Sequence, residues 1–190
     1  TYNITYCTTG MYQNALATAG IEDAEIVVAG PYNISGTAAL VGAIKSYENM
    51  TGETVSQENV DTATNELVVT GKLAESVGDS DKAEQLVGAV KEQVVEGSDN
   101  GKKLTEEEIG NVVDQAAQEM DVQLSDEDRQ EIVDLMDKIK GLDIDVDSLK
   151  EQAKDLYDKI DDLGLKLDWN QEKVQGFFSK IIEFFKNLFT

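Results

Sequence analysis

The segment Thr1–Gly20, "TYNITYCTTGMYQNALATAG", changes its hydrophobic period midway. In "TYNITYCT", Tyr2, Ile4 and Tyr6 alternate with Asn3, Thr5 and Cys7. That is the period of 2 expected of a strand, in residues that favour strands. "TTGMYQNALATAG" then reads as a short helix, with Thr8 or Thr9 as N-cap and Gly20 as the stop. A second strand pattern follows in "DAEIVVAGPY", ending at Gly30 and the chain's one proline, Pro31. Ser35 is placed to cap "GTAALVGAIKSYE", a helix rich in small residues suited to close packing on a sheet. Residues 1–52 therefore read as a partial β-α-β-α segment. Two strands are too few for an independently stable sheet, so the segment is expected to belong to a larger α/β domain or to take strands from a partner.

After Gly52 the pattern is helical. "SQENVDTATNELVVTGKLAESVG" leads, with a possible break at Gly71, and "DSDKAEQLVGAVKEQVVEG" follows. Beyond the loop "SDNGKK" come four segments opening on the capping residues Thr105, Ser125, Asp147 and Asp168. In the first two a carboxylate stands three residues on, at Glu108 and Asp128, which is the grammar of a capping box. Ile132, Leu135, Met136 and Ile139 form a stripe at helical spacing. The expected fold is α+β, mostly α: the partial segment, then an acidic antiparallel helical domain over 53–190 that ends in an amphipathic helix over 170–190.

The formal net charge of −22 makes the surface repel phosphate backbones, so no nucleic-acid partner is expected. The acid is unevenly placed. Residues 1–50 carry four carboxylates and one lysine, whereas residues 101–150 carry fifteen carboxylates and six basic groups. A single cysteine, Cys7, cannot form an internal disulfide, and with no histidine it has no ordinary activating base. No apolar run approaches the roughly 18 residues of a membrane span. The start at Thr1 reads as a processing or trimming point. Trimming explains a terminal threonine more simply than an N-terminal nucleophile does.

Few residues suggest chemistry. Asp143, Asp145 and Asp147 alternate as at the opening of a calcium loop, but Ser148 and Lys154 replace the glycine and glutamate such a loop needs. They are weak metal candidates, and Asp147 reads as a helix cap instead. The turn "GPYNISGTAA" precedes a helix N-terminus but lacks the lysine and the spacing of a phosphate loop. Carboxylate pairs are so numerous that none stands out. No catalytic residue, metal or cofactor is assigned.

The most pronounced pattern is the last one. All five phenylalanines lie in "QGFFSKIIEFFKNLFT". At ~100° per residue, Phe177, Phe178, Ile181, Ile182, Phe184, Phe185, Leu188 and Phe189 fall on one side with Val174. Gln175, Ser179, Lys180, Glu183, Lys186 and Asn187 fall on the other. Covering nine such side chains is worth on the order of 10–20 kcal/mol before entropy. The face is therefore expected to meet the protein's own core, a partner or second copy, or a membrane interface.

One resemblance can be drawn from particular residues. Met11-Tyr12, Asn14-Ala15-Leu16, Thr18-Ala19-Gly20, Gly30-Pro31 and Ser35-Gly36-Thr37-Ala38-Ala39-Leu40 resemble the YpuA-like proteins, domain-of-unknown-function family 1002. The match is specific over the first fifty residues and looser through the helices to the Phe-rich end. The resemblance implies a secreted or envelope-associated protein of Gram-positive bacteria, with a further α/β segment upstream and no catalytic residues to carry over. The resulting expectation is a non-enzymatic interaction module that contacts a protein partner, a second copy or a membrane through the last helix. The alternatives are a hydrolase with a carboxylate site between the two regions and a self-assembling extracellular subunit.

Overall fold

The computed structural model describes residues 1–21, 24–99, 103–142 and 144. The chain divides into two units, Thr1–Ala153 and Lys154–Thr190, and the second lies outside the described residues. The described elements are β1 (Tyr2–Ile4), α1 (Thr9–Thr18), β2 (Ala29–Ile34), α2 (Thr37–Thr51), α3 (Gln57–Val77), α4 (Ser80–Asp99), α5 (Glu106–Glu119) and α6 (Asp126–Ile139). The class is α+β and mostly helical, with one small sheet.

β1 and β2 pair in parallel, as the intervening helix requires. The ladder is irregular. Asn3 takes φ 54° and its side-chain amide donates to Gly30 O at 2.8 Å, filling the place of a backbone bond. The second strand differs from its expected position: it runs through Gly30 and Pro31 to Ile34 rather than ending there. Proline is tolerated because this is an outer strand, where a missing N–H breaks no central ladder. Tyr6 leaves the strand direction and lays its ring against Gly71 of α3, where a Cβ would overlap it. That contact explains the glycine, and α3 continues unbroken through it.

The helix starts follow local chemistry. Thr8 caps α1, its hydroxyl accepting from Met11 N at 3.1 Å. Thr105 and Ser125 each form a complete capping box, with Glu108 and Asp128. α2 departs from expectation. Its N-cap is Gly36 at φ 93°, with no side-chain cap bond, because Tyr12 Oη donates to Gly36 O at 2.6 Å and occupies the space a Cβ would need. Ser125→Ala is expected to cost about 1 kcal/mol by removing one cap acceptor, read as a small drop in Tm.

Residues from both sides of Gly52 share one core. Met11, Tyr12, Leu16, Leu40 and Ile44 pack with Val60, Ala63 and Leu67. The change of pattern at Gly52 thus marks a change from mixed to all-helical chain, not a gap in packing. Helix α4 runs through the middle, packed on α1, α3, α5 and α6. From Ala83 to Val95 every residue is buried except the half-buried Gly88. The stripe Ile132, Leu135, Met136 and Ile139 of α6 is fully buried, as its spacing implies.

Candidate functional site

Where α1 crosses α4, the row Gly10, Asn14, Thr18 of α1 lies along the row Glu84, Gly88, Lys91 of α4. A Cβ at Gly10 would lie 2.5 Å from Glu84 Cδ, and one at Gly88 would lie 3.3 Å from the Asn14 amide. Two glycines, one on each helix, let the backbones approach this closely. The approach brings charged side chains together that lie far apart in sequence.

At the inner end of the row Lys91 is 1% exposed and Glu66, from α3, 0%. Lys91 Nζ donates to Glu66 Oε1 at 2.9 Å, to Asn14 O at 2.7 Å and to Thr18 Oγ1 at 3.2 Å. All three ammonium donors thus have acceptors. Thr18 Oγ1 in turn donates to Glu66 Oε2. The ion pair joins α1, α3 and α4 at one point.

At the outer end Glu84, 4% exposed, sits over the first turn of α1. Thr8 Oγ1 donates to its Oε2, and Asn14 Nδ2 donates to its backbone carbonyl at 3.0 Å. Burial pushes the Glu84 carboxyl up to about 7; the Thr8 hydroxyl opposes that shift, and Asp81 and Asp79 add to it. Further along α4, Gln85 and Gln93 are buried with no hydrogen bond to Nε2 among the described residues.

This cluster was not singled out by sequence reasoning. Glu66 and Glu84 stand between the two regions, where a carboxylate hydrolase site was the alternative expectation. They do not form a cleft: both are sealed from solvent and held by Lys91, Thr18 and Thr8. Cys7 is also buried, and burial raises its thiol above the ordinary range, which favours the protonated form. Among the described residues no group of three or more His, Cys, Asp or Glu is arranged to hold a metal ion. Among them also, no helix is long and apolar enough to cross a membrane. The residues assigned to partner or membrane contact, Phe177 to Phe189, and the weak metal candidates Asp143, Asp145 and Asp147 lie outside the described residues.

Asn14 and Thr18 of the helix-to-helix row are among the residues that carry the resemblance, as are Met11 and Tyr12 in the core and Gly36 at the cap of α2. A family model described as "Protein of unknown function (DUF1002)" matches residues 1–156. The chain belongs to this family. A relative from Bacillus subtilis (strain 168), "Uncharacterized protein YpuA", is 38% identical over 152 residues. The match covers 80% of this DUF1002 chain and 51% of the relative, so the chain spans about half the length of the relative it matches. No solved structure matches.

Proposed function

We propose that this DUF1002 chain is a non-enzymatic interaction module, secreted or held at the cell envelope of a Gram-positive bacterium. Its segment 170–190 covers an apolar surface outside the chain, on a partner or at a membrane interface. One observation carries the reading: all five phenylalanines fall on one side of a single helical wheel, in an otherwise acidic chain. Lys173, Lys180 and Lys186 against Glu172 and Glu183 leave that segment with a net charge of +1, in contrast to the rest of the chain. The extracytoplasmic placement rests on the family resemblance.

The test is a chain ending at Asp168 beside the full chain. The shortened chain is expected to keep its Tm within about 3 °C, the shift a change near 1 kcal/mol produces at this size. It is also expected to lose the full chain's sedimentation with vesicles of phosphatidylcholine and phosphatidylglycerol, or its self-association. A fall in Tm of more than about 10 °C would place the phenylalanines in the protein's own core and overturn the reading.

A further inference from the structure

The seam between α1 and α4 holds two buried carboxylates, and only one of them is matched by a cation. Glu66 has Lys91 at 2.9 Å. Among the described residues Glu84 has none. Its neighbours on α1 are uncharged: the Thr8 hydroxyl donates to it, and Gly10 leaves room for it. On α4 itself the charges that act on it are Asp81 and Asp79, both negative. The cations of α3 to α6 are bonded elsewhere: Lys72 to Glu131, Lys82 to Asp121 O, Lys91 to Glu66, Arg129 to Asp114 and Lys138 to Asn65. A buried carboxylate without a cation keeps its proton or leaves its site.

We infer that the seam is a pinned latch: its outer end, Glu84 against Thr8 and Gly10, opens when the carboxyl ionises, while its inner end, where Lys91 holds Glu66, Thr18 and the carbonyl of Asn14, stays closed. The two ends differ in kind. The inner end is a matched pair of opposite charges. The outer end, once ionised, buries a single charge that regains its hydration by opening. Burial pushes the Glu84 carboxyl up to about 7, which sets the change near neutral pH. The opening is local: it frees the first turn of α1 and the residues before it, without unfolding the helices beyond. Cys7, packed with Met11 and Tyr12, then becomes reachable. On the extracytoplasmic reading above, the pH outside the cell sets the latch, but the geometry does not depend on that reading.

The one cysteine reports the opening. The rate at which dithiodipyridine reacts with Cys7 is divided by the rate in the urea-unfolded chain at the same pH, which removes the thiol's own titration. From pH 4.5 to about pH 8 this ratio is expected to rise about 100-fold in the 190-residue chain and to stay level in Glu84→Gln. Near pH 8 it is expected not to change in urea too dilute to unfold the chain, as for a local opening. The amide of Ala19, bonded to Ala15 O at the pinned end, is expected to exchange only through urea-dependent opening. A ratio that stays level in the parent chain, or rises equally in Glu84→Gln, would overturn the inference. So would a ratio that climbs with dilute urea, which means that Cys7 is reached by global unfolding. Urea-independent exchange at Ala19 would remove the pin.

Discussion

Lys91→Met is expected to lower the stability of the fold by about 3–5 kcal/mol, the cost of breaking a buried ion pair from one side. At this chain length that is a fall in Tm of roughly 6–20 °C. The lysine stem is already buried and methionine fills most of its volume, so the loss is not mainly a cavity. The loss is electrostatic. Glu66 is 0% exposed and accepts from Lys91 and Thr18. Without the ammonium it is a buried carboxylate with one hydroxyl for company, and the carbonyl of Asn14 loses its side-chain donor too. The double variant Glu66→Gln/Lys91→Met removes both charges and leaves an amide oxygen to accept from Thr18. It is expected to recover half or more of the loss. Thermal or urea unfolding of the two variants measures this. If Lys91→Met unfolds within 1 kcal/mol of the parent chain, the ion pair does not hold α1 against α3 and α4.

The pair itself was not legible in the sequence, although nearly everything around it was. Thr8, Thr105 and Ser125 announce their helices because a cap is a bond between residues three apart. The stripe of α6 is legible for the same reason: its information is periodic and local. Lys91 and Glu66 are 25 residues apart, and Thr8 and Glu84 are 76 apart. No local rule links them. The polar residues of α4 carry no local mark of burial, yet the helix runs through the centre of the fold and buries Glu84, Gln85, Lys91 and Gln93. Two signals were nonetheless present. Lys91 stands inside "LVGAVKEQVV", where a solvated lysine is out of place, and Gly10, Asn14 and Thr18 recur every fourth residue along α1. The first marks a charge that needs a partner, and the second a helix face narrow enough to let one in. The end of β2 was misplaced for a related reason: Pro31 stops a strand only where its missing N–H would have been paired, and pairing is a tertiary fact.

Glu84 is expected to make the stability fall as pH rises from about 4.5 to about 7, by about 3 kcal/mol across that window. The direction follows from proton counting. In the unfolded chain the carboxyl ionises near its ordinary value of 4.5, and in the fold burial delays this to about 7. Between those values the folded state holds a proton that the unfolded state has lost. Unfolding therefore releases a proton, and raising the pH favours it. Below the window both states are protonated and the contribution is complete. Above it both are ionised, and the fold carries a buried negative charge over the first turn of α1. The helix N-terminus and the Thr8 hydroxyl soften that charge without abolishing its desolvation. Glu84→Gln keeps an oxygen to accept from Thr8 and a side chain of the same size beside Gly10, but it cannot ionise. At pH 8 the variant is expected to melt roughly 6–12 °C above the parent chain, and at pH 4.5 within a few degrees of it. The general self-repulsion of a chain with net charge −22 also weakens the fold as pH rises. It is nearly common to both proteins and largely cancels in their difference. A difference in Tm that stays constant from pH 4.5 to pH 8 would mean that Glu84 ionises alike in the folded and unfolded chains. The carboxyl over α1 would then be an ordinary helix cap and not a pH-dependent tie between α1 and α4.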